Sequence, residues 1–201
     1  MMGSGGNRMP RYIVAITGAS GVVYGIRLTE TLLDLGYEVH LVVSQPGVLV
    51  IQQEMGWELG ERPGQSLHSF FCQPNLYLYN NADIAARLAS GSFITEGMVI
   101  VPCTMSTLAA VAHGSSNNLI ERAADVMIKE HRPLTIVPRE TPLSAIHLRN
   151  MLALAEMGVA IVPAMPAFYH QPQTIEDMVD FMTGKILDAL RIPNDSFRRY
   201  G

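Results

Sequence analysis

The residues able to do chemistry stand in short polar segments, most of them directly after apolar runs. Thr17-Gly18-Ala19-Ser20-Gly21 puts two glycines and a serine ahead of a helical pattern. Unpaired amides and the helix dipole at such an N-terminus attract phosphate, and the Ser20 hydroxyl adds a donor. No glycine stands between Gly18 and Gly21, so the run is not the dinucleotide fingerprint G-x-G-x-x-G. The same residues also suit an ordinary tight turn.

Cys103-Thr104-Met105-Ser106-Thr107 brings three hydroxyls to another helix start. Capping needs only one of them, so the excess points to a polar cradle for a ligand. Cys103 itself reads as a packed thiol, because no base is paired with it. Pro138-Arg139-Glu140 puts a cation and a carboxylate just past a strand. Arg139 can grip a phosphate with two parallel bonds, and Glu140 can serve as a general acid or base if partly buried. The bland reading is a surface ion pair. Arg122, Asp125 and Lys129 recur at helical spacing, which by itself suits a solvated, salt-bridged face. Lys185 on the last helix reads as exposed. The six histidines show no metal-binding spacing, and there is no Asp-Asp-x-x-Asp run to hold magnesium on a diphosphate. No metal site is therefore expected. His170 is singled out only because it adjoins Tyr169 near a strand end.

The elements that must position these residues alternate along the chain. Apolar, β-branched runs at 12–16, 39–43, 97–101, 134–137 and 159–162 predict strands buried on both faces, with a shorter one at 76–79. Helical patterns cover 22–35, 48–55, 104–112, 119–130, 144–157 and 174–190, with Asn117, Asn118 and Thr174 as cap candidates. Pro102, Pro138 and Pro163 are expected to end their strands. This order predicts a three-layer α/β fold, a mainly parallel sheet with helices on both faces. Ligands in such folds sit outside the carboxyl ends of the strands. Gly18–Gly21, Ser44, Pro102–Thr107, Pro138–Thr141 and Pro163–Tyr169 are the segments expected there.

With 201 residues, 48% of them hydrophobic, the chain can bury a core and is not disordered. Its net charge of −4 and lack of a basic run argue against nucleic-acid binding. Cys72 and Cys103 lack redox or metal spacing, which suits a reduced, cytoplasmic protein. The longest apolar stretch, 151–168, is broken by Glu156, Pro163 and Pro166, so no membrane span is expected. Residues 1–10 read as a flexible tail without the apolar stretch of a signal peptide, and 11–201 as one domain.

Four segments together carry a family resemblance: Thr17–Gly21, Asn117-Asn118-Leu119-Ile120-Glu121-Arg122-Ala123-Ala124-Asp125, Pro138–Glu140, and Phe168-Tyr169-His170-Gln171-Pro172. In this order they resemble the UbiX flavin prenyltransferases, from Arg11 to the C-terminus. The resemblance implies a flavodoxin-like (Rossmann-like) fold and a homo-oligomer, a dodecamer. It implies transfer of a dimethylallyl group from dimethylallyl phosphate to N5 and C6 of reduced FMN, without a metal. The product, prenylated FMN, would serve a UbiD-type decarboxylase. By position, Gly18, Ala19, Ser20, Ser44, Thr104, Met105, Ser106, Thr107 and Arg139 would hold FMN. Tyr169 and Lys185 would hold the allylic phosphate, with Arg122, Lys129 and Arg139 nearby. Glu54, Glu140 and Ser20 would be catalytic.

Three positions depart from the family pattern. Lys185 stands where many relatives have arginine, and it lacks the planar fork. Ile84 and Tyr200 stand where some bacterial relatives place tryptophans around the prenyl group, and the only tryptophan is Trp57. Two rival readings fit the residues less well. Phosphopantothenoylcysteine decarboxylases carry Pro-x-Met-Asn, whereas this chain has Pro163-Ala164-Met165-Pro166 and lacks the amide. A protein that only binds flavin would not need the second set of phosphate-holding residues.

Overall fold

The computed structural model describes residues 9–199. Six strands form one sheet: β1 (Arg11–Ile16), β2 (Glu38–Val43), β3 (Leu76–Asn80), β4 (Gly97–Cys103), β5 (Leu134–Pro138) and β6 (Ala160–Ile161). Their order is β3-β2-β1-β4-β5-β6, and every pair is parallel. Seven helices connect them: α1 (Val22–Asp34), α2 (Gln45–Met55), α3 (Pro63–Phe71), α4 (Met105–Ala112), α5 (Leu119–Lys129), α6 (Ala145–Glu156) and α7 (Ile175–Ala189). A single 3-10 turn lies at Arg87–Ala89. Among the described residues no helix is long and apolar enough to cross a membrane.

Alternation along the buried strands splits the core in two. Val14, Ile16, Leu41, Val99 and Val101 face one way, against Leu28 and Leu32 of α1, Ile51 of α2, Leu67 of α3 and Ile186 of α7. Ile13, Ala15, Val42 and Ile100 face the other way, against Leu108 of α4, Ala123 and Met127 of α5, and Leu154 of α6. The expected three layers are present. Gly25 lets α1 lie directly on the sheet, because a Cβ there would stand 2.4 Å from the Val101 carbonyl oxygen.

Several element limits differ from the sequence reading. β4 does not stop at Pro102 but runs to Cys103, with its register against β5 shifting between Ile100 and Cys103. An irregular step is where a central strand can accept a residue that lacks an N–H. Pro138 likewise closes β5 from within. Helix α3 escaped the sequence reading, because its opening Pro63-Gly64 looks like a break. Proline at the first helical position is in fact a common start. Trp57 stacks on Phe70 of this helix at 4.2 Å, so the lone tryptophan serves packing on that face. Helix α2 starts three residues earlier than expected, since Ser44 caps it through the Gly47 amide.

His40 of β2 is fully buried. Its Nε2 lies 2.9 Å from Glu38 and its Nδ1 lies 3.0 Å from the Tyr79 hydroxyl. Tyr77 stacks on the ring and Phe93 meets it edge-on. Burial lowers its pKa to about 4; Glu38 opposes the shift, and Arg87 and Arg11 add to it. A folded-state pKa below the unfolded value means that the unfolded chain takes the proton more readily. The contribution is complete above about pH 6.5 and is lost as pH falls toward 4. Urea unfolding near pH 7.5 and near pH 5 should show the difference, up to roughly 3 kcal/mol at full protonation. His40→Gln should remove this part of the pH dependence.

Candidate active site at the strand ends

The strand order reverses between β1 and β4, and their following helices, α1 and α4, lie on opposite faces. Such a switch point opens a crevice at the carboxyl ends. Thr17, only 2% exposed, closes the floor of it. Its hydroxyl donates to the Pro102 carbonyl at 2.7 Å and accepts the Thr104 amide at 2.9 Å. Its own amide also donates to Pro102 O, at 3.2 Å. One side chain thus fixes the first turn against the start of α4. There Thr104 caps the Thr107 amide and donates to the Thr107 hydroxyl at 3.0 Å. The amides of Met105 and Ser106 precede any intrahelical acceptor.

The first turn itself is held from three sides. A Cβ on Gly18 would meet Pro46 of α2 at 2.4 Å, and one on Gly47 would meet the Ile16 carbonyl oxygen at 2.8 Å. These contacts bring Ser44 and α2 tight against the turn. Gly21 has φ of 96°, a conformation that favours glycine, and offers no capping side chain to α1. The cap comes from Glu54 at the far end of α2. Its carboxylate accepts the Gly21 amide at 2.9 Å and the Val22 amide at 3.1 Å. It sits where the helix dipole favours negative charge. Two of the amides at this helix start, those of Gly21 and Val22, are therefore taken by the chain's own carboxylate. Opposite, Arg139 donates through Nε to the Ser20 carbonyl at 3.1 Å, which ties the end of β5 to the turn.

Glu140 follows Arg139 and is half-buried, its carboxylate accepting the Thr141 amide at 3.0 Å. Tyr169 lies in the loop after β6, edge-on to Phe181 of α7 with ring centroids 5.8 Å apart. His170 stacks flat on the same Phe181 at 4.9 Å. Lys185 is one turn further along α7, exposed, its Nζ 3.9 Å from Asp188. Tyr169 and Lys185 therefore flank one stretch of α7. Arg122 and Lys129 do not join them. Arg122 pairs with Asp125 on α5 at 3.0 Å, and Lys129 is exposed at the end of that helix. The surface ion pair is what their spacing on one helix face suggests. Ile84 is exposed, and Tyr200 lies outside the described residues.

A family model described as Flavoprotein matches residues 4–188. The flavin prenyltransferase UbiX of Alkalihalophilus pseudofirmus is 50% identical over 190 residues, 94% of each chain. The chain belongs to the UbiX flavin prenyltransferase family. A crystal structure of the relative AnUbiX in complex with FMN and dimethylallyl pyrophosphate superposes with a TM-score of 0.87 at 41% identity, over 96% of this chain and 98% of that one. A dodecameric FMN-dependent UbiX-like decarboxylase from Escherichia coli gives a TM-score of 0.85 at 41% identity, over 95% and 99% of the two chains.

Membership of the UbiX family sorts the resembling segments by what they do locally. In the Asn117–Asp125 run, Asn118 caps the Glu121 amide at 3.1 Å, and Glu121 accepts Asn117 N at 2.8 Å and Asn118 Nδ2 at 2.7 Å. Asn81, after β3, adds its side chain to Ile120 N and its carbonyl to Leu119 N. Much of that motif therefore builds the start of α5. Cys103 is buried and its pKa is pushed up by burial, so it is a packed thiol. Sequence reasoning missed Thr17 as the clamp and Glu54 as the cap of α1. A threonine directly after a buried strand was the only local signal for the first. Nothing local signals the second, because its partners lie 32 and 33 residues away.

Thr17→Val keeps the shape of the clamp and removes its hydroxyl. The Thr104 amide and one acceptor position on Pro102 then lose a buried partner, at about 1–3 kcal/mol for an unsatisfied group. Chemical denaturation should show that loss, and hydrogen exchange at the Thr104 amide should quicken.

Proposed function

We propose that the chain transfers a dimethylallyl group from dimethylallyl phosphate to N5 and C6 of reduced FMN, and so makes prenylated FMN for a UbiD-type decarboxylase. The observation that carries this reading is the match, over 96% of the chain, to a relative solved with FMN and dimethylallyl pyrophosphate together. Two separate groups of anion-holding residues support it. Hydroxyls and backbone at the switch point form one, and the Tyr169–Lys185 stretch of α7 forms the other.

In this reading FMN is a substrate. Its phosphate is held by hydroxyl-bearing segments, Ser44 and Thr104–Thr107 with Met105 among them. Gly18, Ala19 and Ser20 lie against the flavin, and Arg139 braces that turn. The fixed backbone of the turn, with Pro46 packed against Gly18, suits close approach of a flat ring. Tyr169 and Lys185 hold the allylic phosphate. Breaking the allylic C–O bond leaves negative charge on the departing phosphate, and cations preplaced there stabilise it as it develops. Holding the allylic carbon next to the flavin supplies proximity. Glu140, half-buried beside Arg139, handles the N5 proton. Ser20 and Glu54 share the first turn and form a second group able to move a proton at the same substrate. The reading uses no metal.

The E. coli relative is dodecameric, and this chain exposes Ile146, Leu148 and Leu152 on α6 with Met165 and Phe168 nearby in sequence. We assign the chain to a homo-oligomer, a dodecamer, in the cytoplasm. Arg122 and Lys129 would then reach the allylic phosphate of a neighbouring copy, since α5 does not bring them to Tyr169 within one chain.

Anaerobic incubation with reduced FMN and dimethylallyl phosphate should give a flavin heavier by one C5H8 unit. Absence of that product with both the monophosphate and the diphosphate overturns the assignment. Glu140→Gln should slow product formation by about a hundredfold or more while FMN stays bound. Loss of FMN from that variant would show that Glu140 holds the flavin instead.

A further inference from the structure

One face of α7 carries Phe181, Gly184, Lys185 and Asp188, spaced so that they stack along the helix. The chain beyond α7 folds back over this face. Phe197 packs on Phe181 with ring centroids 4.8 Å apart. A Cβ on Gly184 would meet Phe197 at 2.5 Å and the Asn194 side chain at 3.0 Å, so glycine is what lets the strap lie this close. The strap ends on Arg199, whose guanidinium lies over Phe197 at 5.1 Å.

Arg199 holds Asp188 with a two-bonded fork, one nitrogen to each carboxylate oxygen at 3.1 and 2.8 Å. The second nitrogen also donates to the Asn194 carbonyl at 3.1 Å. Asn194 adds its own amide to Asp188 at 3.1 Å. The carboxylate pKa is lowered, chiefly by the bond from Arg199. Lys185, three residues back on the same helix, is the natural partner of Asp188. It stands at 3.9 Å, outside hydrogen-bond reach. The fork of Arg199 has taken the carboxylate that would otherwise fold Lys185 onto the helix surface.

We infer that Arg199 is a positioning residue: by occupying Asp188 it keeps the Lys185 ammonium available to an anionic substrate, the allylic phosphate. This rests on the prenyl-transfer reading. Three of the five N–H donors of Arg199 go to Asp188 and Asn194, and in this inference it acts through Lys185. An arginine suits the task, because its planar fork saturates a carboxylate that a lysine would share.

The test is a binding measurement on the full-length, FMN-loaded chain, with dimethylallyl phosphate titrated calorimetrically. Arg199→Ala should weaken binding by about three- to tenfold, the range expected when a partly exposed charge pair re-forms in competition with a ligand. Asp188→Asn combined with Arg199→Ala should restore binding to within about twofold of wild type, since no carboxylate remains to capture Lys185. A merely structural strap predicts the opposite, because the double variant also lacks the clasp. FMN affinity should not change in any of these variants. Unchanged binding in Arg199→Ala, or a double variant as weak as the single one, overturns the inference alone. A wild-type chain that binds no dimethylallyl phosphate overturns the prenyl-transfer reading along with it.

Discussion

The hydroxyl of Thr17 is the interaction on which the site depends. It lies where the strand order reverses, and from the end of β1 it bonds twice to the β4–α4 side. The carbonyl that it and its own amide share is that of Pro102. The irregular end of β4 is therefore part of the clamp. That carbonyl faces the β1 side, while the register of β4 shifts against β5 on its other edge. The start of α4 inherits its position from this bond, and the first turn inherits it from the other side.

Around that clamp the site is braced from several elements. Pro46 lies against Gly18, Glu54 closes the end of α1, and Arg139 holds the Ser20 carbonyl. These contacts join α2, β5 and the first turn across the crevice. The α7 side is built differently, from stacked rings and one helix face.

Much of the architecture was legible in the sequence, because buried parallel strands appear as continuous apolar runs and their helices carry caps that the residue types announce. Asn118 and Thr174 cap the helices expected of them, and Ser144, read as a helical residue, caps α6. Proline misled at Pro102, where tertiary geometry overrode a local rule and the strand runs on to Cys103, whereas β5 does end at Pro138. The site was legible as a set of strand-end segments, but its wiring was not. Contacts such as Glu54 to Gly21 or Arg139 to Ser20 join residues distant along the chain, and no residue type announces its distant partner. Arg122 and Lys129 show the same limit, since helical spacing says which residues share a face and not what that face meets.

The carboxylate of Glu54 on the end of α1 also bears on what this topology excludes. The strand order is the one that dinucleotide-binding proteins use, and those proteins rest a pyrophosphate on the first helix. Here the Glu54 carboxylate occupies that berth, accepting two amides. A nicotinamide or adenine dinucleotide approaching in the usual pose would meet like charge where it needs bare N–H groups. The scaffold of an abundant class of redox enzymes thus carries a carboxylate where those enzymes rest a pyrophosphate.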